Sequence, residues 1–363
     1  MHQVAEVERD GPARAGPGWW RRWPEWAPLA AGTWSLLYGL LGLWWTLGGD
    51  GFPFGDGDPD AVGSLLAWVP ATVGAPVVAA LGLAGAAAAL AMTRPWGRRV
   101  PRPLLAGFAW GTAATLLLVV PDARVLMLLG YLPALVLLLR ADAVDWPALN
   151  QFLCLGGGAL WAAAALAYQR HARHACEHCG RPAATGPEGD GGDRPRWGRW
   201  ATWIAVLAPL PYAATRLAWA LDIPLGVTDE FMAMYRADYV AKGVGLWRFT
   251  LGGMALAGSI LTMGLVRRWG EVFPRWTPFL AGRRVLPALA IVPATLVSLA
   301  VTVAAITIWR GVAAEGAGLE LGPDTWGPGG PILLWLPWGV ALGLATLAYQ
   351  RRRRGRCRHC GRG

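Results

Sequence analysis

The chain has 363 residues, 55% of them hydrophobic and 15% charged, with a mean hydropathy of +0.36; soluble domains carry roughly 25% charge, so a purely water-soluble protein is excluded. A large globular protein with buried core helices would need amphipathic partner helices to cover them, and the sequence offers almost none. The net charge of +10 does not indicate a nucleic-acid binder, because the arginines are scattered over short loops and no basic face with interleaved aromatics forms.

In chain order, residues 1–18 read as a disordered cytoplasmic tail. The opening stretch is polar, carries Pro12, Pro17 and Pro24, and holds no apolar core of a cleavable signal peptide. Apolar stretches of about 20 residues, each long enough to cross a bilayer as a helix, follow at 28–48, 70–93, 104–120, 148–168, 202–221, 247–266, 285–309 and 331–349. The first serves as an uncleaved anchor. Many of the 23 tryptophans mark the ends of these runs, among them Trp44, Trp45, Trp203, Trp247 and Trp309, where an indole is half buried and its N–H finds water.

Residues 121–147 carry a further apolar run, Val125 to Leu139, between Asp122 and Arg124 on one side and Arg140, Asp142 and Asp145 on the other. A full crossing here would give the first half an odd count and put the Arg-rich connector outside. The run is therefore expected as a re-entrant or interfacial helix on the external side, or as an extension of the third span broken at Pro121. The Gly/Pro/Asp-rich stretch 182–195 reads as a linker. Arg216 is the clearest ionisable residue within a span and is expected to snorkel toward Asp222 or Glu230, an intramembrane functional charge being the alternative. Asp229 to Val240 reads as a short amphipathic helix on the outer surface. The segment Asp56-Gly57-Asp58-Pro59-Asp60 is similar to the opening of a calcium loop, but it lacks the Gly at the sixth place and the Glu at the twelfth.

Loop charge sets the orientation. One set of loops carries Arg9, Arg14, Arg21 and Arg22, then Arg94, Arg98, Arg99 and Arg102, then the connector from Arg170 to Arg199, then Arg267 to Arg284, and finally Arg351 to Arg362. Residues 49–69, by contrast, contain no Arg or Lys and four aspartates. The bias places both termini in the cytoplasm, which requires an even number of spans.

The two halves of the chain repeat. Leu166-Ala167-Tyr168-Gln169-Arg170 recurs as Leu347-Ala348-Tyr349-Gln350-Arg351, and Cys176-Glu177-His178-Cys179-Gly180-Arg181 recurs as Cys357-Arg358-His359-Cys360-Gly361-Arg362, both at an offset of 181. Trp20, Trp23 and Trp26 match Trp197, Trp200 and Trp203, and Arg94-Pro95-Trp96-Gly97 matches Arg267-Arg268-Trp269-Gly270. With an even number of spans per unit, the copies enter the membrane the same way round and stand as parallel repeats about a pseudo-two-fold axis. Small residues at Ala79, Gly82 and Ala86, and again at Gly252, Gly253 and Gly258, mark candidate helix–helix seams, with coding bias toward Ala and Gly as the alternative.

Four of the five cysteines form two Cys-x-x-Cys-Gly knuckles, each directly after the last span of its half; the fifth, Cys154, lies inside a span. Two intervening residues let both thiolates reach one ion, and the Gly permits a turn that aims backbone N–H groups at sulfur. Neither half supplies four thiolates, so Cys176, Cys179, Cys357 and Cys360 together are the candidate ligands of a structural zinc. Disulfides are disfavoured in a reducing cytoplasm, a thioredoxin-like pair lacks its βαβ setting, and haem attachment needs His where Gly180 and Gly361 stand. His178 and His359 could ligate only by displacing a Cys. Another metal or cluster, redox chemistry, or no role beyond a basic tail remain open beside zinc.

The stretch Tyr38 to Gly55 resembles the first span and loop of small four-span bacterial membrane proteins of unknown function, and the whole chain is similar to uncharacterised actinobacterial multi-span proteins with duplicated halves. The second copy departs from the double Gly at Asp222-Ile223. The resemblance implies no activity. The expected fold is an all-α polytopic transmembrane bundle of about eight spans, arranged as two parallel four-span repeats over 19–181 and 196–363. The expected role is a non-catalytic scaffold or sensor of the plasma membrane, held together by zinc and open to a cytoplasmic protein partner, with no nucleic acid bound. A secondary transporter of a small neutral or apolar solute between the repeats, and a thiol-dependent membrane enzyme, are the alternatives. No nucleophile–base pair, P-loop, dinucleotide fingerprint or His-Glu-x-x-His motif is present.

Overall fold

The computed structural model describes residues 22–61, 64–137, 145–181, 196–241, 248–275, 277, 279, 281–315, 321–355, 357 and 359–361; among these the regular structure is helical, with no strand. The expected tail 1–18 and linker 182–195 lie outside the described residues. The first half holds α1 (Trp23–Thr46), α2 (Ala71–Thr93), α3 (Arg102–Ala114), α4 (Ala123–Leu137) and α5 (Trp146–Ala172). The second holds α6 (Arg196–Leu207), α7 (Leu210–Ala220), α8 (Asp229–Ala241), α9 (Thr250–Met263), α10 (Pro287–Glu315), α11 (Trp326–Gly329) and α12 (Trp335–Arg352).

Local sequence sets the helix ends. α1 opens with Pro24 in its first turn, where a missing N–H costs nothing, and stops before Gly48 at φ +92°. α5 is capped by Asp145, whose carboxylate accepts from the Ala148 N–H at 3.1 Å, and it closes on Arg170 and His171, which suit the carbonyl end of the helix dipole.

Among the described residues, five helical stretches are long and apolar enough to cross a membrane: Ala71–Thr93, Arg102–Val119, Trp146–Ala172, Pro287–Arg310 and Trp326–Arg352. They coincide with five of the expected spans. The other three differ for separate reasons. α1 has 24 residues, a length of about 36 Å, but its tryptophans, glycines and prolines dilute its apolar character. The stretch expected at 202–221 is interrupted at Ala208 and Pro209, because Pro209 and Pro211 supply no backbone N–H. The stretch expected at 247–266 yields α9, an apolar helix of 14 residues.

On α2 burial is inverted relative to a soluble protein. α2 buries Gly74, Ala75, Ala79, Gly85, Ala89 and Ala91, while Val73, Val77, Leu81 and Leu90 point outward. Small residues inside and large apolar ones outside suit a lipid surround, where close backbone approach supplies the packing. The molecule is consistent with an integral membrane protein.

The small-residue seam expected on α2 is where α1 docks. A Cβ on Gly82 would lie 2.5 Å from the Gly39 Cα, and one on Gly42 would lie 2.6 Å from the Ala79 nitrogen. In α9 only Gly252 has a neighbour, Leu217 of α7; Gly253 and Gly258 face open space. The second-half seam is therefore narrower than composition suggested. Packing order recurs between the halves. α1 packs on α2 and α5, and α5 on α3; α6 and α7 pack on α9, α6 packs on α12, and α12 on α10.

The described flanks of the apolar run, Asp122 and Trp146, lie at the same end of α5, and residues 138–144 between them lie outside the described residues. The Asp122 N–H donates to Gln151 Oε1 at 3.1 Å, and Trp146 Nε1 donates to the Gly51 carbonyl at 2.8 Å, both beside the first two turns of α5. A π-turn at Thr115–Val119 and then Pro121 break the chain away from α3. α4 then packs against α9 and α10 of the other half.

Candidate metal centre

Each knuckle grows from the C-terminal end of a half's last helix. After α5 the chain turns through His174 and reaches Cys176, and the Gly180 N–H donates back to the Cys176 carbonyl at 2.7 Å. After α12 the Gly361 N–H donates to the Cys357 carbonyl, also at 2.7 Å. Both glycines sit in left-handed backbone, Gly180 at φ +76° and Gly361 at φ +72°. That conformation costs an L-residue energy, which is why Gly follows the second Cys in both knuckles.

The two turns meet. Cys176 Sγ lies 4.0 Å from Cys357 Sγ, and Cys179 Sγ lies 3.6 Å from Cys360 Sγ. All four sulfur atoms fall within 4.8 Å of one another. Metal–sulfur bonds of about 2.3 Å in a tetrahedron set sulfur atoms about 3.8 Å apart, so this cluster could hold a metal ion without rearrangement of the backbone. Between the cysteines, the imidazoles of His178 and His359 stack with centroids 4.2 Å apart and planes 22° from parallel. Every knuckle residue on the seam thus faces its own counterpart.

The donor chemistry fits a cation. The Cys357 thiol is held down at about 6, chiefly by the Cys360 backbone N–H, while burial and then the neighbouring thiols push Cys179 up to about 12. Four sulfurs this close cannot all ionise unless positive charge enters among them. Arginine braces the surround. Arg170 Nη1 donates to the carbonyls of Glu177 and His178 at 2.8 and 3.0 Å, and its guanidinium lies 5.3 Å from the Trp23 ring. Arg181 Nη1 reaches the Gly355 carbonyl of the other half at 3.3 Å.

Other residues singled out in the sequence have different surroundings from those expected. Arg216 does not pair with Asp222; its guanidinium lies 4.7 Å from the Tyr212 ring and 4.2 Å from the Trp219 ring, as a cation over aromatic faces. Asp222 instead pairs with Arg236 at 3.1 Å and Arg248 at 3.4 Å. The stretch expected as a surface helix is helical as α8, and Met232 is fully buried beside Trp219. Cys154 is buried in α5 and takes no part in the sulfur cluster; its thiol lies 3.4 Å from the Tyr38 hydroxyl.

A second polar cluster went unread in the sequence. Arg124 Nη1 donates to Asp58 Oδ1 at 2.8 Å and Arg124 Nη2 to Asp122 Oδ2 at 2.7 Å, while Gln151 Nε2 donates to the same Asp122 oxygen at 2.8 Å. Asp58 therefore anchors the 49–61 loop to α4, so it acts as a guanidinium partner where a calcium loop had been considered. Nearby, Tyr38 donates to Asn150 Oδ1 at 2.6 Å, and the buried Asn150 Nδ2 has no partner among the described residues. The one available signal was the alternation of Asp122 and Arg124 at the edge of an apolar run. No protein-family model, curated protein or solved structure matches the chain.

Proposed function

We propose that the chain is a duplicated membrane module whose halves are clamped by one structural zinc, and that it works as a scaffold or sensor without chemistry of its own. The observation that carries this reading is the gathering of Cys176, Cys179, Cys357 and Cys360 within 4.8 Å from segments 181 residues apart. In this reading two four-span repeats stand parallel in the plasma membrane, both termini are cytoplasmic, and the clamp lies beneath the pseudo-two-fold axis.

Several local matches support the repeat. Gly158 packs on Leu117 of the π-turn, and Gly339, 181 residues later, packs on Thr302, 185 residues after Leu117. Arg98-Arg99-Val100 and Arg283-Arg284-Val285 stand at that same 185-residue spacing, the first just before α3 and the second just before α10. Counterpart residues facing each other across the knuckles suit a two-fold axis. A closed four-sulfur site leaves no open position on the metal, which favours a structural over a catalytic ion. Convergence of the knuckles also disfavours free-thiol chemistry. Among the described residues the buried carboxylates and amides, Asp58, Asp122, Asn150 and Gln151, all lie in the first half, and the second half buries only hydroxyls, which weighs against a solute path between the halves.

The test is metal analysis. Purified protein is expected to carry about one zinc per chain, and Cys179→Ser is expected to release it. Unmutated protein prepared without chelators and devoid of metal would end the clamp.

A further inference from the structure

The turn that follows α2 and the turn that follows α9 share one backbone. Arg94 (φ −106°, ψ 150°) and Arg267 (φ −93°, ψ 155°) each lead into a 3-10 turn. The Gly97 N–H donates to the Arg94 carbonyl at 3.1 Å and the Gly270 N–H to the Arg267 carbonyl at 3.2 Å. A Cβ at either glycine would strike a carbonyl, Ala91 O at 1.8 Å or Gly264 O at 1.9 Å. What lies over these turns differs between the halves.

Over the second turn the protein satisfies its own charges. Tyr349 donates to the Gly270 carbonyl at 2.7 Å, Arg352 Nη2 donates to the Leu265 carbonyl, and Arg352 Nε pairs with Glu271 at 3.3 Å. At the matching places over the first turn stand Tyr168, His171 and Arg98. The carboxylate has become a guanidinium, and the guanidinium an imidazole whose Nδ1 is already engaged by Glu177 at 2.8 Å. The ion pair cannot form. Its place is taken by a cleft of about 300 Å³ lined by Arg94, Arg98, Arg102, Tyr168, His171 and His174. Among the described residues the three arginines make no ion pair and no side-chain hydrogen bond.

We propose that this cleft binds the phosphate group of an anionic ligand, carried by a phospholipid headgroup or by a free phosphate anion. Three guanidinium groups around one cleft repel each other until an anion enters, and the planar donor fork of arginine matches phosphate oxygens two at a time. The cleft opens between the last turn of α2, the first of α3 and the end of α5, at the knuckle-bearing end of the bundle. There a headgroup can reach it from the bilayer rim, where Trp96 and Leu104 are exposed. The inference stands whether or not the knuckles hold metal.

The test uses full-length, delipidated protein in neutral detergent and follows its unfolding temperature with added dioleoylphosphatidylglycerol, dioleoylphosphatidylcholine or inorganic phosphate. Stabilisation by phosphatidylglycerol but not by phosphatidylcholine or inorganic phosphate supports a lipid headgroup. Stabilisation by inorganic phosphate, alone or with phosphatidylglycerol, supports a site open to the free anion. Arg98→Gln with Arg102→Gln is expected to weaken the effective affinity about five-fold for each arginine removed. Arg98→Lys with Arg102→Lys, which keeps charge but not the fork, should bind with intermediate strength and serves if the glutamine pair fails to fold. Arg283→Gln with Arg284→Gln, two arginines outside the cleft and just before α10, should bind as the unmutated chain does. No stabilisation by either anionic probe, or equal losses in the cleft and control variants, overturns the proposal.

Discussion

Gly180 and Gly361 hold the same left-handed turn but meet different neighbours. A methyl at Gly180 would come within 3.1 Å of Arg170 Nε, the side chain that braces the first knuckle, whereas a methyl at Gly361 would meet nothing within 4 Å. Gly361→Ala should therefore cost only the conformational strain of an L-residue, about 1–2 kcal/mol, or roughly a ten-fold loss in zinc affinity. Gly180→Ala should lose more, because it also displaces Arg170. Competition with a chromophoric chelator reads both, and equal losses would contradict the bracing role. The cysteines were legible in the sequence because spacing in a knuckle is local and chemically specific. The pairing of Asp58 with Arg124 was not, since 66 residues separate the partners and the surroundings of Asp58 pointed to a different local motif. Arg216 was misjudged for a related reason: chain distance favoured Asp222, while the aromatic rings one turn away offered a nearer partner for the charge.

Helix pairing rests on backbone approach. α1 presents Gly32, Ser35, Gly39 and Gly42 at three- and four-residue spacing, so they share one face, and Ser35 is further tied by the Trp161 indole N–H at 2.9 Å. Gly39→Leu would drive a side chain into the Gly82 backbone and should destabilise the protein by about 1–3 kcal/mol or more, whereas Gly253→Leu, on an open face of α9, should be nearly silent. Thermal unfolding in micelles compares the two; a silent Gly39→Leu would show the α1–α2 contact to be looser than described. Long apolar runs made most helices readable, since length and hydropathy suffice for that. Which face of each helix meets a neighbour was only partly readable, because Ala and Gly are spread over all faces. The break between α6 and α7 escaped because the apolar run continues across it, although Pro209 and Pro211 carried the signal.

Across the whole molecule, the described residues of the two halves meet at the sulfur cluster and where α4 and the π-turn before it lie against α9 and α10. These two contacts can be separated by experiment. With a protease site placed in the 182–195 linker, the cleaved halves should stay together in detergent while metal is bound, and chelator should loosen them. Size-exclusion chromatography reads the outcome; halves that co-elute equally with and without chelator would assign their association to the helix contacts made by α4 and the π-turn. The expectations of orientation and duplication rest on charge bias and repeats, which are one-dimensional signals, whereas the crossing of α4 onto the other half is a three-dimensional choice that no local pattern announces. The knuckles stand 181 residues apart, with α6 to α12 between them in the chain. If these cysteines take an ion, the first pair of thiols is made long before the second, and the site can close only after every later helix has left the ribosome. A nascent chain stalled anywhere before Cys357 would then carry two of the four ligands.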